Sequence, residues 1–153
     1  MATNHFIKRT LLVTCSFLTV SAGVFANENF TISDKLLHVF RQAFPDARQV
    51  KWLEEPDGYE VSFRQNDILT KVVYDKDAQF ISSLRFYTEK NLPVTIIYRL
   101  HKKYPGKTVW GVTELSTEFS TEYDVILVDD RKWYRVHSDA EGNMQTIEKY
   151  NKD

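Results

Sequence analysis

One cysteine stands in the 153-residue chain, at position 15, with only five glycines and four prolines. Cys15 lies in the leading segment, so everything after it must fold without disulfides, zinc thiolates or a cysteine nucleophile. With so little glycine, no glycine-rich loop precedes a helix, and neither a phosphate-binding loop nor a G-x-S-x-G serine elbow is written anywhere. Basic excess is missing too: 20 Lys and Arg stand against 21 Asp and Glu. That balance offers no field for nucleic acid or for anionic lipid. Long apolar runs are confined to the N-terminus, where "TLLVTCSFLTVSAG" is too short to span a bilayer.

That run does have the layout of a secretory signal: Lys8 and Arg9 without an acid, the apolar stretch, then Val24 and Ala26 at the small-residue positions of a cut. Residues 1–26 are read as a signal peptide removed after Ala26, and the product is expected in the periplasm or outside the cell. A lipoprotein signal ending at Cys15 fits less well, because Thr14 is a poor residue before such a cysteine. Loss of Lys8 and Arg9 leaves residues 27–153 with a net charge of about −3. No membrane insertion is expected after the cut. The remaining length suits a single domain.

Within it, "TISD" offers a helix start, with Thr31 as cap and Asp34 completing a capping box. Leu36, Leu37, Phe40 and Phe44 then recur at helical spacing until Pro45. Sixty residues on, Ile96, Ile97, Leu100 and Tyr104 repeat the register, with Pro93 suited to a first helical turn. Four strand-like segments follow each helix: "QVKWLEE", "YEVSFRQ", "ILTKVVYD" and "FISSLRFY", then "KTVWGVTEL", "YDVILVD", "KWYRVHS" and "MQTIEKY". The segments are divided by turn chemistry such as "EPDG", "QND" and "DKDAQ". At an offset of 64, Tyr59, Val61, Val72 and Asp75 recur as Tyr123, Val125, Val136 and Asp139. The expected fold class is therefore α+β, a tandem repeat of helix plus four-stranded antiparallel unit. Its repeats span about 31–90 and 91–153, and its strands form one curved sheet with the helices on one face. Val50 with Trp52, and Trp110 with Val112, lie two apart and so share a face, which makes both tryptophans expected core plugs beneath the helices.

"FPDARQVKW", "GYEVSFR", "VVYDKDAQF", "LPVTIIYRLHKKYPGKTVWGVTEL" and "KWYRVHSDAEGNM" together resemble the PepSY-like proteins with a fold similar to the β-lactamase inhibitor protein, small exported bacterial proteins. The resemblance covers about 31–150. It implies a tandem repeat with one curved antiparallel sheet, and a role in binding or restraining a secreted enzyme. The sequence departs from the pattern at Ala78, where the first "D-x-D-G" turn would carry glycine; Gly142 keeps it in the second.

Period-two alternation assigns Ile68, Val72, Tyr74, Tyr134 and Val136 to the core. The opposite phase presents Leu69, Lys71, Val73, Trp133, Arg135 and His137, joined by Arg64, Ile126 and Val128 from the neighbouring strands. A surface mixing Trp, Arg and aliphatic residues has the composition of an interaction hot spot. These nine residues are the expected protein-binding site, and the expected partner is a protein or peptide of the cell envelope or exterior. The alternative is a periplasmic module for a small ligand or metal, using the sheet's concavity or "HSDAE", where His137, Asp139 and Glu141 cluster. His38, His101 and His137 form no H-x-H or HExxH pair, and Asp75 and Asp77 lack the further ligands of a calcium loop. Asp129 and Asp130 read as turn residues. No cofactor, no metal and no catalysis are expected. The chain should be a monomer, or a weak homodimer if an edge such as "MQTIEKY" pairs between copies.

Overall fold

The structure, a computed structural model, describes residues 31–152. The signal-peptide reading of 1–26 lies outside the described residues. Helix α1 spans Asp34–Ala43 and is followed by strands β1 (Arg48–Glu55), β2 (Gly58–Gln65), β3 (Ile68–Asp75) and β4 (Phe80–Tyr87). A single 3₁₀ turn, Glu89–Asn91, leads to α2 (Val94–Lys103). Strands β5 (Thr108–Thr117), β6 (Thr121–Val128), β7 (Lys132–Asp139) and β8 (Met144–Asn151) complete the chain.

Local chemistry accounts for the ends. Ser33, and not Thr31, caps α1: its hydroxyl accepts from the Leu36 amide at 3.2 Å. Pro93 precedes α2 as its cap residue and does not enter the first turn. Asn66 and Asp67, both at positive φ, close the β2–β3 hairpin, a geometry these two residue types tolerate. At the β3–β4 and β7–β8 turns, Asp75 and Asp139 use carboxylate oxygens to accept backbone amides, from Asp77 and Gln79 at 2.9 and 2.8 Å and from Asn143 at 2.8 Å.

The strands form one eight-stranded antiparallel sheet in the order β1-β2-β3-β4-β5-β6-β7-β8. This overturns the expected α+β tandem repeat. The described residues are mostly one sheet, and the two α-helices among them are only ten residues each. Hydrogen bonding runs unbroken through the expected boundary near residue 90, because β4 pairs with β5 from Ser82↔Thr117 to Tyr87↔Val112. Packing crosses it as well. Tyr87 is buried in the apolar cluster beneath α2 with Ile96, Leu100, Val125 and Val136, and Ile68 of β3 packs against that cluster. The α2 cluster thus borrows side chains from the first half of the chain, and the two halves are not separate units.

Both helices lie on one face of the sheet. Leu36 and Phe40 of α1 pack with Val61, Phe63, Val72 and Tyr74, and Trp52 joins them with its ring centroid 5.2 Å from that of Phe40. Ala78, at φ 63°, is buried at the foot of this cluster. Between the two clusters the same face turns polar. Arg85 reaches Glu114 at 3.0 Å and the Tyr87 hydroxyl donates to the other oxygen of that carboxylate. Burial of the phenol, then its bond to Glu114, drives the Tyr87 pKa far above its ordinary value.

Candidate functional site: the open sheet face

Among the described residues, the second face carries no helix. Register fixes its membership, since directly paired residues of antiparallel strands point the same way. One row runs Arg64, Leu69, Phe86, Thr113, Asp124, His137 and Gln145. A second runs Ser62, Lys71, Leu84, Leu115 and Glu122, and a third joins Glu60, Val73, Ser82 and Thr117. Toward the other end of the sheet, Gly111, Ile126, Arg135 and Glu148 form one row and Thr108, Val128, Trp133 and Tyr150 the next. All nine residues of the expected binding site are thus on this face: Arg64, Leu69, Lys71, Val73, Ile126, Val128, Trp133, Arg135 and His137. They do not form one compact cluster. Arg64, Leu69, Lys71 and Val73 stand on β2 and β3, the others on β6 and β7, with β4 and β5 between them.

Two features of this face escaped the sequence. Trp110 is no core plug. Register shifts between Val109 and Gly111, so that Trp110 is the extra residue of a β-bulge. It stands 65% exposed against Trp133, with ring centroids 5.5 Å apart and planes at 90°, the edge-to-face arrangement favoured by aromatic quadrupoles. Lys152 sits over the Trp133 ring at 5.4 Å. The second feature is that Arg135, His137 and Lys71 are already partnered. Arg135 places Nε and Nη2 on Asp124 at 3.2 and 2.7 Å, and Glu148 lies 3.7 Å away. His137 Nδ1 is 3.1 Å from the other oxygen of Asp124, with Glu122 at 4.0 Å from its Nε2. Partial burial would raise the Asp124 carboxyl, but the bonds and charges of Arg135 and His137 outweigh it and hold the group below the usual carboxylate range. Lys71 is likewise paired, with Glu60 at 2.9 Å. What this face can present is therefore an aromatic pair and an aliphatic strip set in a balanced ionic frame.

Among the described residues no three His, Cys, Asp or Glu side chains gather as a metal set. The carboxylates of Asp75 and Asp139 are occupied by their own turns, and Asp129 binds Lys107 at 2.9 Å, the Arg131 and Lys132 amides and the Tyr134 hydroxyl. The Lys107 bond is the main cause that keeps Asp129 well below the usual carboxylate range.

A continuous eight-stranded sheet with one helix-free face invites comparison with solved proteins. A BLIP-like protein from Bacteroides fragilis NCTC 9343 superposes with a TM-score of 0.59 at 19% identity, over 81% of this chain and 89% of its own. The chain has a BLIP-like fold. A DUF2874 family protein from Bacteroides uniformis ATCC 8492 matches at TM-score 0.57 and 20% identity, over 79% of this chain and 90% of that one. A candidate periplasmic protein from Bacteroides eggerthii DSM 20697 matches at 0.57 and 16%, over 80% and 90%. No protein-family model and no curated protein matches the chain. Among the described residues of this BLIP-like chain, no helix is long and apolar enough to cross a membrane.

Proposed function

We propose that the chain is an exported, non-catalytic binding protein of the PepSY-like kind, which grips a protein partner on its open sheet face and restrains it, as a BLIP-like inhibitor would. The observation that carries the reading is the Trp110–Trp133 pair, large aromatic area displayed by a bulge on a face that no helix covers. Tryptophan there costs solubility and adds little to the core, and buried aromatic anchors dominate binding energy at protein interfaces. The ionic frame around it would set orientation more than affinity, since Arg135 and Lys71 are already neutralised. The fold likeness to a BLIP-like protein and to a candidate periplasmic protein supports export and inhibitor-like binding.

The test is capture from the producing cell's envelope and culture fluid by the purified chain lacking residues 1–26, followed by affinity measurement on the captured protein. Trp110→Ala with Trp133→Ala should weaken binding at least a hundredfold while leaving the far-ultraviolet circular dichroism intact. Equal affinity of wild type and variant would end the assignment of this face.

A further inference from the structure

Beside Trp110 the open face has a hole. Gly111 supplies no side chain, and a Cβ built on it would meet nothing within 4 Å. The space continues around the end of the sheet as a cavity of about 470 Å³, floored by Ile68, Val112 and Ile126 and walled by Phe86 and Trp110. Its size falls in the range of small-ligand sites, about 300–1,000 Å³, and its lining mixes apolar side chains with a few polar groups, as such sites do. Those groups are the amides of Asn66 and Asn91, the Lys90 ammonium and the Asp67 carboxylate. None of these four side chains has a side-chain partner among the described residues, in contrast to the paired charges elsewhere on the face. The edge-to-face contact with Trp133 holds Trp110 in place, so that the wall is formed before anything binds.

We propose that this cavity binds a small planar aromatic molecule of zero net charge. Its ring lies between Trp110, Phe86 and Ile126, and its polar end meets the amides of Asn66 and Asn91. The charge follows from the lining: Lys90 and Asp67 bring one charge of each sign, so a net anion or cation meets a repelling group along with an attracting one. The site shares Trp110 and Ile126 with the protein-binding reading but needs no protein partner, and a small-molecule titration tests it independently of capture.

The experiment is a proton–nitrogen NMR titration of the purified chain with 2-naphthol, a neutral two-ring probe, beside naphthalene-2-sulfonate, the same ring with a negative charge. Saturable shifts of the Trp110 Nε1–H and of the 111–113 amides are expected, with the Leu36 and Phe40 amides unmoved. The sulfonate should bind at least fivefold more weakly. Gly111→Leu should fill the hole and weaken 2-naphthol at least tenfold, and Trp110→Ala, at a position 65% exposed, should do the same if the first variant is unstable. Absence of saturation, shifts spread equally through the α1 cluster, or undiminished binding by both variants would overturn the site. Tighter binding of the sulfonate would overturn the assignment of charge.

Discussion

The Tyr87 hydroxyl donates to the Glu114 carboxylate in the polar strip between the two apolar clusters, with Glu114 only 8% exposed and Arg85 on its other oxygen. A buried carboxylate persists only when its lone pairs are met. Tyr87→Phe keeps the packing and removes one donor, and should cost about 1–3 kcal/mol. Glu114→Ala should cost more, since it strands both the phenol and the guanidinium, although Arg85 is exposed enough to regain water. Urea midpoints measure both, and a Tyr87→Phe midpoint equal to wild type would remove the strip from the account of stability.

The two tryptophans that the sequence treats alike should part under mutation. Trp52 packs edge-on against Phe40 in the α1 cluster, and Trp52→Ala should destabilise by about 2–4 kcal/mol. Trp110→Ala should stay within about 1 kcal/mol, since little of that side chain leaves water on folding. Melting curves of the two variants decide it, and equal losses would contradict the outward bulge.

Why the bulge was hidden in the sequence is a matter of period. Alternation places Trp110 with Val112 correctly for an unbroken strand, but one extra residue between Val109 and Gly111 reverses the side, and nothing in "TVWGV" announces it except the glycine. Alternation succeeds where the ladder is regular, as along β3, whose limits Ile68–Asp75 coincide with the segment read from sequence and whose residues 69, 71 and 73 do face outward. The Arg135–Asp124–His137 network lay beyond reach because it depends on which residues of β6 and β7 stand opposite one another. Glu114 was legible and passed over: two residues from Val112, it shares the inward phase and stands there as a buried acid. The tandem reading failed for a different reason. Matched helices and turns describe local chemistry, whereas the packing of Ile68 from β3 into the cluster beneath α2 joins residues distant in sequence and has no local signature.

Acid should unfold the protein through a small set of carboxylates. Asp124, Asp129 and Asp139 all titrate lower in the folded chain than an unperturbed aspartate. The unfolded chain therefore takes up more protons once pH falls below about 4–5, so stability is full above the unfolded pKa and drains as pH falls toward the lowered values. Urea midpoints should fall steadily from pH 5 to pH 2. Asp129→Asn should lower the midpoint at pH 6 and flatten that acid limb, and a limb of unchanged slope would exclude Asp129 from it.

The paired turns at 78 and 142 should respond oppositely to small changes. Ala78 holds φ 63°, a left-handed conformation that costs an ordinary residue about 1–2 kcal/mol. Ala78→Gly removes that strain and loses one buried methyl, about 0.8 kcal/mol, so a gain of up to about 1 kcal/mol is expected. Gly142, at φ 83°, faces the Arg99 side chain, where an added Cβ would stand 2.6 Å from its Cδ. Gly142→Ala should cost about 1–2 kcal/mol. Thermal denaturation of the pair checks both signs, and loss of stability in Ala78→Gly would mean that the methyl outweighs the strain.

Sequential strand order also has a kinetic meaning. Every strand pairs only with its neighbours in the chain, and six of the seven pairings close through short hairpin turns, so contact order is low for so large a sheet and little loop-closure entropy stands in the way. The exception is β4 with β5, separated by residues 88–107, which include the whole of α2. Joining these two strands is the slow closure of an otherwise local fold. The unfolded chain can form three hairpin-linked pairings on each side of that seam and complete its sheet in one late step.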